Sequence, residues 1–282
     1  MYNKTKISYN YQSAAVLFEE RRLKNMTAEI YHLFHSGTVV KYNNKLYIFD
    51  YYKDELDSES EQDDNLSSLE KGIIRRDSFE DIEETIIFVS HDHHDHYNKV
   101  IFDWEDYCHN CTYILADQVN LEAELSSKDN LYQIEADQEL RLEDLTVKTY
   151  GSTDEGVSFL VKADGLNIFH AGDLNWWKWK KFSHRVQKRE ERGFKREIDK
   201  IIGEKIDIAF VPVDPRLEEY YYLAGEYFIE QIKPGIFIPI HFSSNFKIIK
   251  KFKSKMAADL KTEIAEIGKR GEKIFYLSLI HI

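Results

Sequence analysis

The most constraining feature of this chain is a six-residue run, His91-Asp92-His93-His94-Asp95-His96, placed directly after a short apolar stretch, Thr85-Ile86-Ile87-Phe88-Val89-Ser90. With 11 histidines in 282 residues, a window of six holds about 0.2 by composition alone; this one holds four. The apolar stretch is rich in β-branched residues and short, which reads as a buried strand. Extended backbone points residues two apart the same way. His91 and His93 therefore converge, Asp95 leans toward the same cavity, and His96 approaches from another side where a helix begins. Imidazole and carboxylate together suit zinc, and equally manganese or iron. His94 faces solvent between the ligands.

The remaining pattern supplies a frame for that run. Strands are expected at residues 29–34, 38–42 and 45–50, with Asn43-Asn44 as a hairpin turn, and again at 112–116, 139–142 and 145–150. Residues 157–162 and 166–170 flank Asp164-Gly165, the strongest short-range hairpin signal in the chain. Further strands are expected at 207–213, 236–241 and 273–277. Helices are expected at 97–107, 118–126, 182–204, 217–232 and 244–268. Strands come first and then alternate with helices, in two halves. That order predicts an α/β protein in which two sheets pack face to face with helices outside, a four-layer αββα sandwich. Residues 53–71 are rich in Asp and Glu without aromatics, so they read as an exposed loop.

Composition narrows the function. At 43% hydrophobic and 14% aromatic residues the chain is not disordered. It has no apolar run long enough for a membrane helix, and its polar, tyrosine-rich start has no signal-peptide core. A cytoplasmic protein is expected. Two cysteines cannot build a disulfide framework, and Cys108-His109-Asn110-Cys111 reads as two partly buried thiols. The net charge of −12 disfavours long-range steering of nucleic acid, so an anionic substrate would need local positive charge. Residues 178–196 carry many Lys and Arg, but interleaved Glu makes them a solvated helix face.

The spacing His-x-His-x-Asp-His after an apolar strand resembles the signature of the metallo-β-lactamase superfamily of hydrolases. Other parts of the chain fit in order. Asp50, ending Tyr47-Ile48-Phe49-Asp50, is similar to the early aspartate that supports the histidine loop. Phe169-His170-Ala171-Gly172-Asp173 resembles the later Gly-Asp whose carboxylate bridges two metals. Ile238-Pro239-Ile240-His241 resembles the last histidine motif. Phe34-His35-Ser36-Gly37 looks like the glycine/histidine turn of the ascorbate-6-phosphate lactonase branch. The likeness covers roughly residues 28–275 and implies two divalent metal ions, zinc first, held by His91, His93, Asp95, His96, Asp173 and His241. One departure stands out. The family places a histidine between the run and the Gly-Asp, and residues 149–156 contain none; either His170 or Asp154 substitutes, or the first site is weakened or empty.

The resemblance implies a metal-bound hydroxide that cleaves a small phosphorylated, lactone-like or ester substrate, with Asp95, His170 and His35 as catalytic candidates. Two rivals share the motif: a phosphodiesterase or ribonuclease Z-like nuclease, and a metal-binding sensor with a degenerate first site. A cytoplasmic chain is poorly placed for antibiotic hydrolysis. Around the site, Asp214 and Arg216 follow a buried strand, where ligands of α/β sheets gather; Arg216 can grip a carboxylate or phosphate. Trp176, Trp177 and Trp179 either wall the pocket or start a packed helix, with Trp176 the pocket candidate. The domain expected is 26–276. Residues 1–25 read as an extension with a possible helix at 14–22, and residues 277–282 as a non-native tail similar to a translated sequencing adapter. No membrane or nucleic-acid partner is expected, and oligomeric state is not legible.

Overall fold

A computed structural model of the chain describes residues 27–56, 65–256 and 261–277. The expected extension at 1–25, its helix and the tail beyond Leu277 lie outside the described residues.

Among the described residues, fourteen strands form two sheets of seven. The first contains β1 (Thr27–Phe34), β2 (Gly37–Tyr42), β3 (Lys45–Phe49), β4 (Glu84–Val89), β5 (Cys111–Ala116), β6 (Leu131–Ile134) and β14 (Glu272–Leu277), in the order β14-β1-β2-β3-β4-β5-β6. The second contains β7 (Glu139–Leu142), β8 (Leu145–Gly151), β9 (Val157–Ala163), β10 (Leu166–His170), β11 (Ile208–Pro212), β12 (Ile236–Ile240) and β13 (Glu263–Ile264), in the order β13-β12-β11-β10-β9-β8-β7. Each sheet is antiparallel on one side and parallel on the other. β3 to β6 run parallel, and so do β10 to β13.

The parallel strands are the apolar runs of the sequence. β11 (IAFVP) and β12 (IFIPI) are buried at every position, as strands covered on both faces must be. The antiparallel joins use the expected turns. Asn43 and Asn44 both take positive φ (49° and 58°), as do Asp164 and Gly165 (52° and 80°), which matches the twist of two-residue hairpins. The sheets meet through Phe49 and Phe88 of the first, against Phe210 and Phe159 of the second, at ring separations of 6.1 and 5.3 Å. Buried apolar residues of both sheets form one cluster.

Four α-helices are present among the described residues: α1 (Ala123–Ser126), α2 (His184–Ile201), α3 (Leu223–Ile232) and α4 (Lys247–Lys255). Of these, α2 packs on β8 and on α3, and α3 packs on β11.

Several expectations change. The stretch expected to be a helix at 97–107 is a 3-10 segment, Lys99–Asp106, whose Trp104 packs against Tyr51 and Phe79. Proline at 215 starts a second 3-10 segment, Pro215–Tyr220, so α3 begins only at Leu223. The long helix expected at 244–268 stops at Lys255, because Glu263 and Ile264 pair with the edge of β12. Strand β6 has too weak an alternation to be legible. Cys108 and Cys111 are joined by a disulfide rather than left as thiols. The acidic loop is anchored at its ends: the buried Arg270 guanidinium donates to the carbonyls of Lys53, Glu55, Gly72 and Leu33. Leu277, expected in the tail, pairs with Thr27 as the last residue of β14.

Candidate metal centre

The parallel strands of both sheets end on one side of the molecule, where α/β folds gather ligands. Asp50 follows β3, the histidine run follows β4, Asp173 follows β10, Asp214 follows β11 and His241 follows β12. His35 joins them from the β1–β2 turn. His35, Asp50 and His241 all take left-handed φ (54°, 46° and 65°), a conformation that costs a residue with a Cβ about 1–3 kcal/mol and clusters at functional sites. Gly172 is needed next to them. It takes φ 52°, and a Cβ there would fall 2.7 Å from the Ser90 Cβ.

Two groups of donors result. His91, His93 and Asp173 form one, and His35, Asp95, His96 and His241 the other, with the ligand atoms of each group within 4.8 Å of one another. Asp173 lies between them. Its Oδ1 is 3.1 Å from His96 Nε2 and 3.1 Å from His241 Nε2, and its Oδ2 is 3.8 Å from His91 Nε2. His91 Nε2 is 3.1 Å from His93 Nδ1, and His93 Nε2 is 3.2 Å from Glu155 Oε2.

The outer nitrogens are held by acids and a serine. Asp50, fully buried, accepts from Ser90 N at 2.8 Å, from Ser90 Oγ at 2.7 Å and from His96 Nδ1 at 2.8 Å. Ser90 Oγ, its proton spent on Asp50, accepts from His91 Nδ1 at 2.9 Å. Asp214 accepts from His241 Nδ1 at 3.2 Å and grips Arg216 through Nε and Nη2. These contacts place a proton on Nδ1 of His91, His96 and His241 and turn the Nε2 atoms inward.

The charge balance is set by the carboxylates. Burial works against an imidazolium at His96, yet Asp173 and Asp50 raise its pKa to about 10. His241 is shifted upward against burial by Asp173 and Asp214. Burial, with His96 beside it, pushes His91 down to about 4. Asp173 is itself buried, but His241 and His96 hold it well below the usual carboxylate range. Asp154 goes the other way, raised by burial and by Asp173.

The residues fit divalent ions. Oδ1 of Asp173 and Nε2 of His96 are buried and face each other at 3.1 Å, sharing a proton in the metal-free protein. A cation that displaces this proton finds two lone pairs facing one position, and nitrogen and carboxylate donors are what zinc and its neighbours take.

All six residues expected as ligands come together. His170 does not. It is buried beneath the site, stacked on Phe49 at 5.0 Å; its Nε2 donates to the Ser36 carbonyl at 3.0 Å and its Nδ1 accepts from Gly172 N at 3.2 Å. With both nitrogens used, it is neither a substitute ligand nor a proton carrier. Asp154 lines the cavity but belongs to neither donor group. The first group therefore has three donors among the described residues. Neither does a helix begin at His96: a turn closes there, with His96 N and Tyr97 N donating to the His93 carbonyl.

Above the donors lies a cavity of about 500 Å³, lined by His93, Asp95, Asp154, Trp177, Trp179 and Arg216 among others. Trp177 meets His241 edge-on at 5.6 Å and runs parallel to Trp179, and Arg216 lies over Trp179 at 5.9 Å. Trp176 points away, onto Phe194 of α2 and Tyr227 of α3. Of the three tryptophans, it is the packing residue and not the pocket candidate. Sequence reasoning missed Ser90, which its place between strand and histidines could have flagged, and also Ser243 and Glu155, which carry no signal of their own.

Comparison with known proteins agrees on the fold. The chain is similar to the structure of Igni18, a metallo hydrolase from Ignicoccus hospitalis KIN4/I, at 14% identity and TM-score 0.57, over 89% of this chain and 98% of that one. It is similar to a candidate metal-dependent hydrolase from Parabacteroides distasonis ATCC 8503 at 15% identity and TM-score 0.52, over 84% and 91%. It also matches CmlA, a diiron β-hydroxylase from Streptomyces venezuelae, at 8% identity and TM-score 0.51, over 89% of this chain and 54% of CmlA. The fold shared with these proteins is an α/β sandwich of two large mixed sheets with helices. No protein-family model and no curated protein matches the sequence.

Proposed function

We propose that this chain is a metal-dependent hydrolase of the metallo-β-lactamase superfamily, nearest its ascorbate-6-phosphate lactonase branch, acting on a small phosphorylated, lactone-like or ester substrate. The observation that carries the reading is Asp173, whose Oδ1 faces His96 Nε2 and His241 Nε2 of one donor group at 3.1 Å while its Oδ2 faces His91 Nε2 of the other at 3.8 Å. His91, His93 and Asp173 would hold one ion; Asp95, His96, His241 and the shared Asp173 would hold the other. Divalent ions supply an acidified water near neutral pH and polarise the substrate's carbonyl or phosphoryl oxygen.

The chain's own residues do the rest. Asp50 and Asp214 fix which nitrogen each imidazole turns inward, as orienting carboxylates do in metal sites. Arg216 is clamped by Asp214 through Nε and Nη2, which leaves Nη1 to bind a substrate anion. Trp177 and Trp179 shed water from the cavity wall, strengthening those charge contacts. Asp154, with its raised pKa, holds or receives a proton at the cavity edge.

The test is turnover by protein stripped with a chelator and reloaded with zinc, manganese or iron. Phosphomonoesters, phosphodiesters, lactones and simple esters form the panel. Metal-dependent cleavage of a small anionic ester or lactone is expected. Uptake of metal with no cleavage anywhere in the panel would leave a sensor and sink the reading, and cleavage confined to phosphodiesters would make the chain a nuclease-like enzyme.

A further inference from the structure

By distance alone His35 belongs with the ligands: its Nε2 is buried, without a hydrogen-bond partner, and grouped with Asp95, His96 and His241. Its protons say otherwise. The Ser243 backbone N–H donates to His35 Nδ1 at 3.2 Å, with Ser243 Oγ at 3.0 Å from the same atom. A backbone amide cannot accept, so Nδ1 must present its lone pair and the neutral ring carries its hydrogen on Nε2. The other three inward-facing rings are the reverse. His96 and His241 give Nδ1–H to the carboxylates of Asp50 and Asp214, and His91 gives its Nδ1–H to Ser90 Oγ. For His241 a second neighbour, Arg216 Nη2, is also 3.2 Å from Nδ1; one of its two hydrogens goes to Asp214 Oδ2 at 2.7 Å, and the carboxylate beside Nδ1 can only accept.

We infer that His35 is not a metal ligand but a positioning residue. Its Nε2–H faces Asp95 Oδ2 at 3.5 Å and fixes the rotation of that carboxylate, so that Asp95 offers one chosen oxygen to the metal site. The arrangement is rigid. The His241 N–H donates to the His35 carbonyl at 2.9 Å, so the backbone after β12 grips both the main chain and the ring of His35. The inference rests on the metal-site reading above and adds to it that the ion beside Asp95 takes two imidazoles, from His96 and His241, rather than three.

The deciding measurement is the ring nitrogen NMR spectrum of ¹⁵N-histidine protein, metal-free and zinc-loaded, with the His35 signals identified by their loss in His35→Gln. We expect His35 in the Nε2–H form in both states, with His91, His96 and His241 in the Nδ1–H form once zinc is bound. A His35 ring in the Nδ1–H form whose Nε2 signal shifts on zinc loading overturns the inference. Two variants give a second readout by competition with a chromophoric chelator. His35→Gln keeps a donor near the Nε2 position, whereas His35→Asn keeps the Nδ1-like acceptor and suits the left-handed backbone but loses that donor. Zinc affinity should stay within a few-fold of wild type in His35→Gln and fall about 10–100-fold in His35→Asn, the usual cost of losing a residue that orients a ligand. Equal losses in both variants mark a ligand, and no loss in either removes the positioning role; both overturn the inference. Should a variant fail to fold, the wild-type spectrum decides alone. Expected ring forms without hydrolysis would leave this inference standing and remove the functional reading; the reverse pattern would do the opposite.

Discussion

Replacing Asp50 by asparagine should remove metal binding more than fold. Asp50 is fully buried and accepts three hydrogen bonds, from Ser90 N, Ser90 Oγ and His96 Nδ1. Asparagine keeps the shape and one acceptor oxygen, which can stay on Ser90 N. Its amide nitrogen then occupies the Oδ2 position and points hydrogens at His96 Nδ1–H and at the Ser90 hydroxyl. To escape that clash His96 must give up its Nδ1 proton and keep hydrogen only on Nε2, the atom that faces Asp173 Oδ1 at 3.1 Å. A metal ion then has to force the ring back against its neighbours, giving up a charge-assisted hydrogen bond of about 1.5–3 kcal/mol. At about 1.4 kcal/mol per decade that is roughly a 10–100-fold loss of affinity. Chelator competition measures it, with circular dichroism and a thermal melt of the metal-free protein as the folding control. Zinc affinity within twofold of wild type in a folded Asp50→Asn protein would refute the proton assignment at His96, and with it the logic that separates His35 from the other rings.

Metal binding should strengthen with pH. In the metal-free protein Asp173 and Asp50 overcome burial to keep His96 protonated up to about 10, and His241 is shifted the same way; an incoming ion must displace those protons, so affinity rises toward about tenfold per pH unit for each one released. Calorimetry in buffers of different ionisation enthalpy counts them, and a flat profile from pH 6 to 8 contradicts the assignment. Trp176→Ala and Trp177→Ala should separate by KM: the first loses up to about 3 kcal/mol of stability from the packing against α2 and α3 and leaves KM unchanged, while the second, buried at the cavity wall, raises KM for any substrate found. Arg270→Met should cost at least about 3 kcal/mol in a denaturant melt, because the four carbonyls it serves lose a charged donor in a buried place; a loss below 1 kcal/mol would show that those carbonyls find other partners.

How legible the chain was depends on how local each signal is. The histidine run could be read because four donors within six adjacent residues on a strand end need only local geometry to converge. The hairpins at Asn43-Asn44 and Asp164-Gly165 are set by the φ preferences of those residues, and β11 and β12 by unbroken apolar runs. Helix ends were misplaced where a partner strand or a proline intervened, as at 244–268 and 215–220, since pairing between distant segments outweighs local propensity.

What the sequence determined by itself was the chemistry available: imidazoles and carboxylates at strand ends, in numbers and spacing suited to divalent cations. Tertiary structure decided what each group does. His170 and His35 look equally able to ligate or carry protons when read along the chain. The fold buries one against Phe49 with both nitrogens occupied, and sets the other beside Asp95 with a backbone amide of residue 243 on its Nδ1. For His35 the nitrogen that holds the proton is decided by Ser243, 208 residues away, and no local pattern in the sequence encodes that.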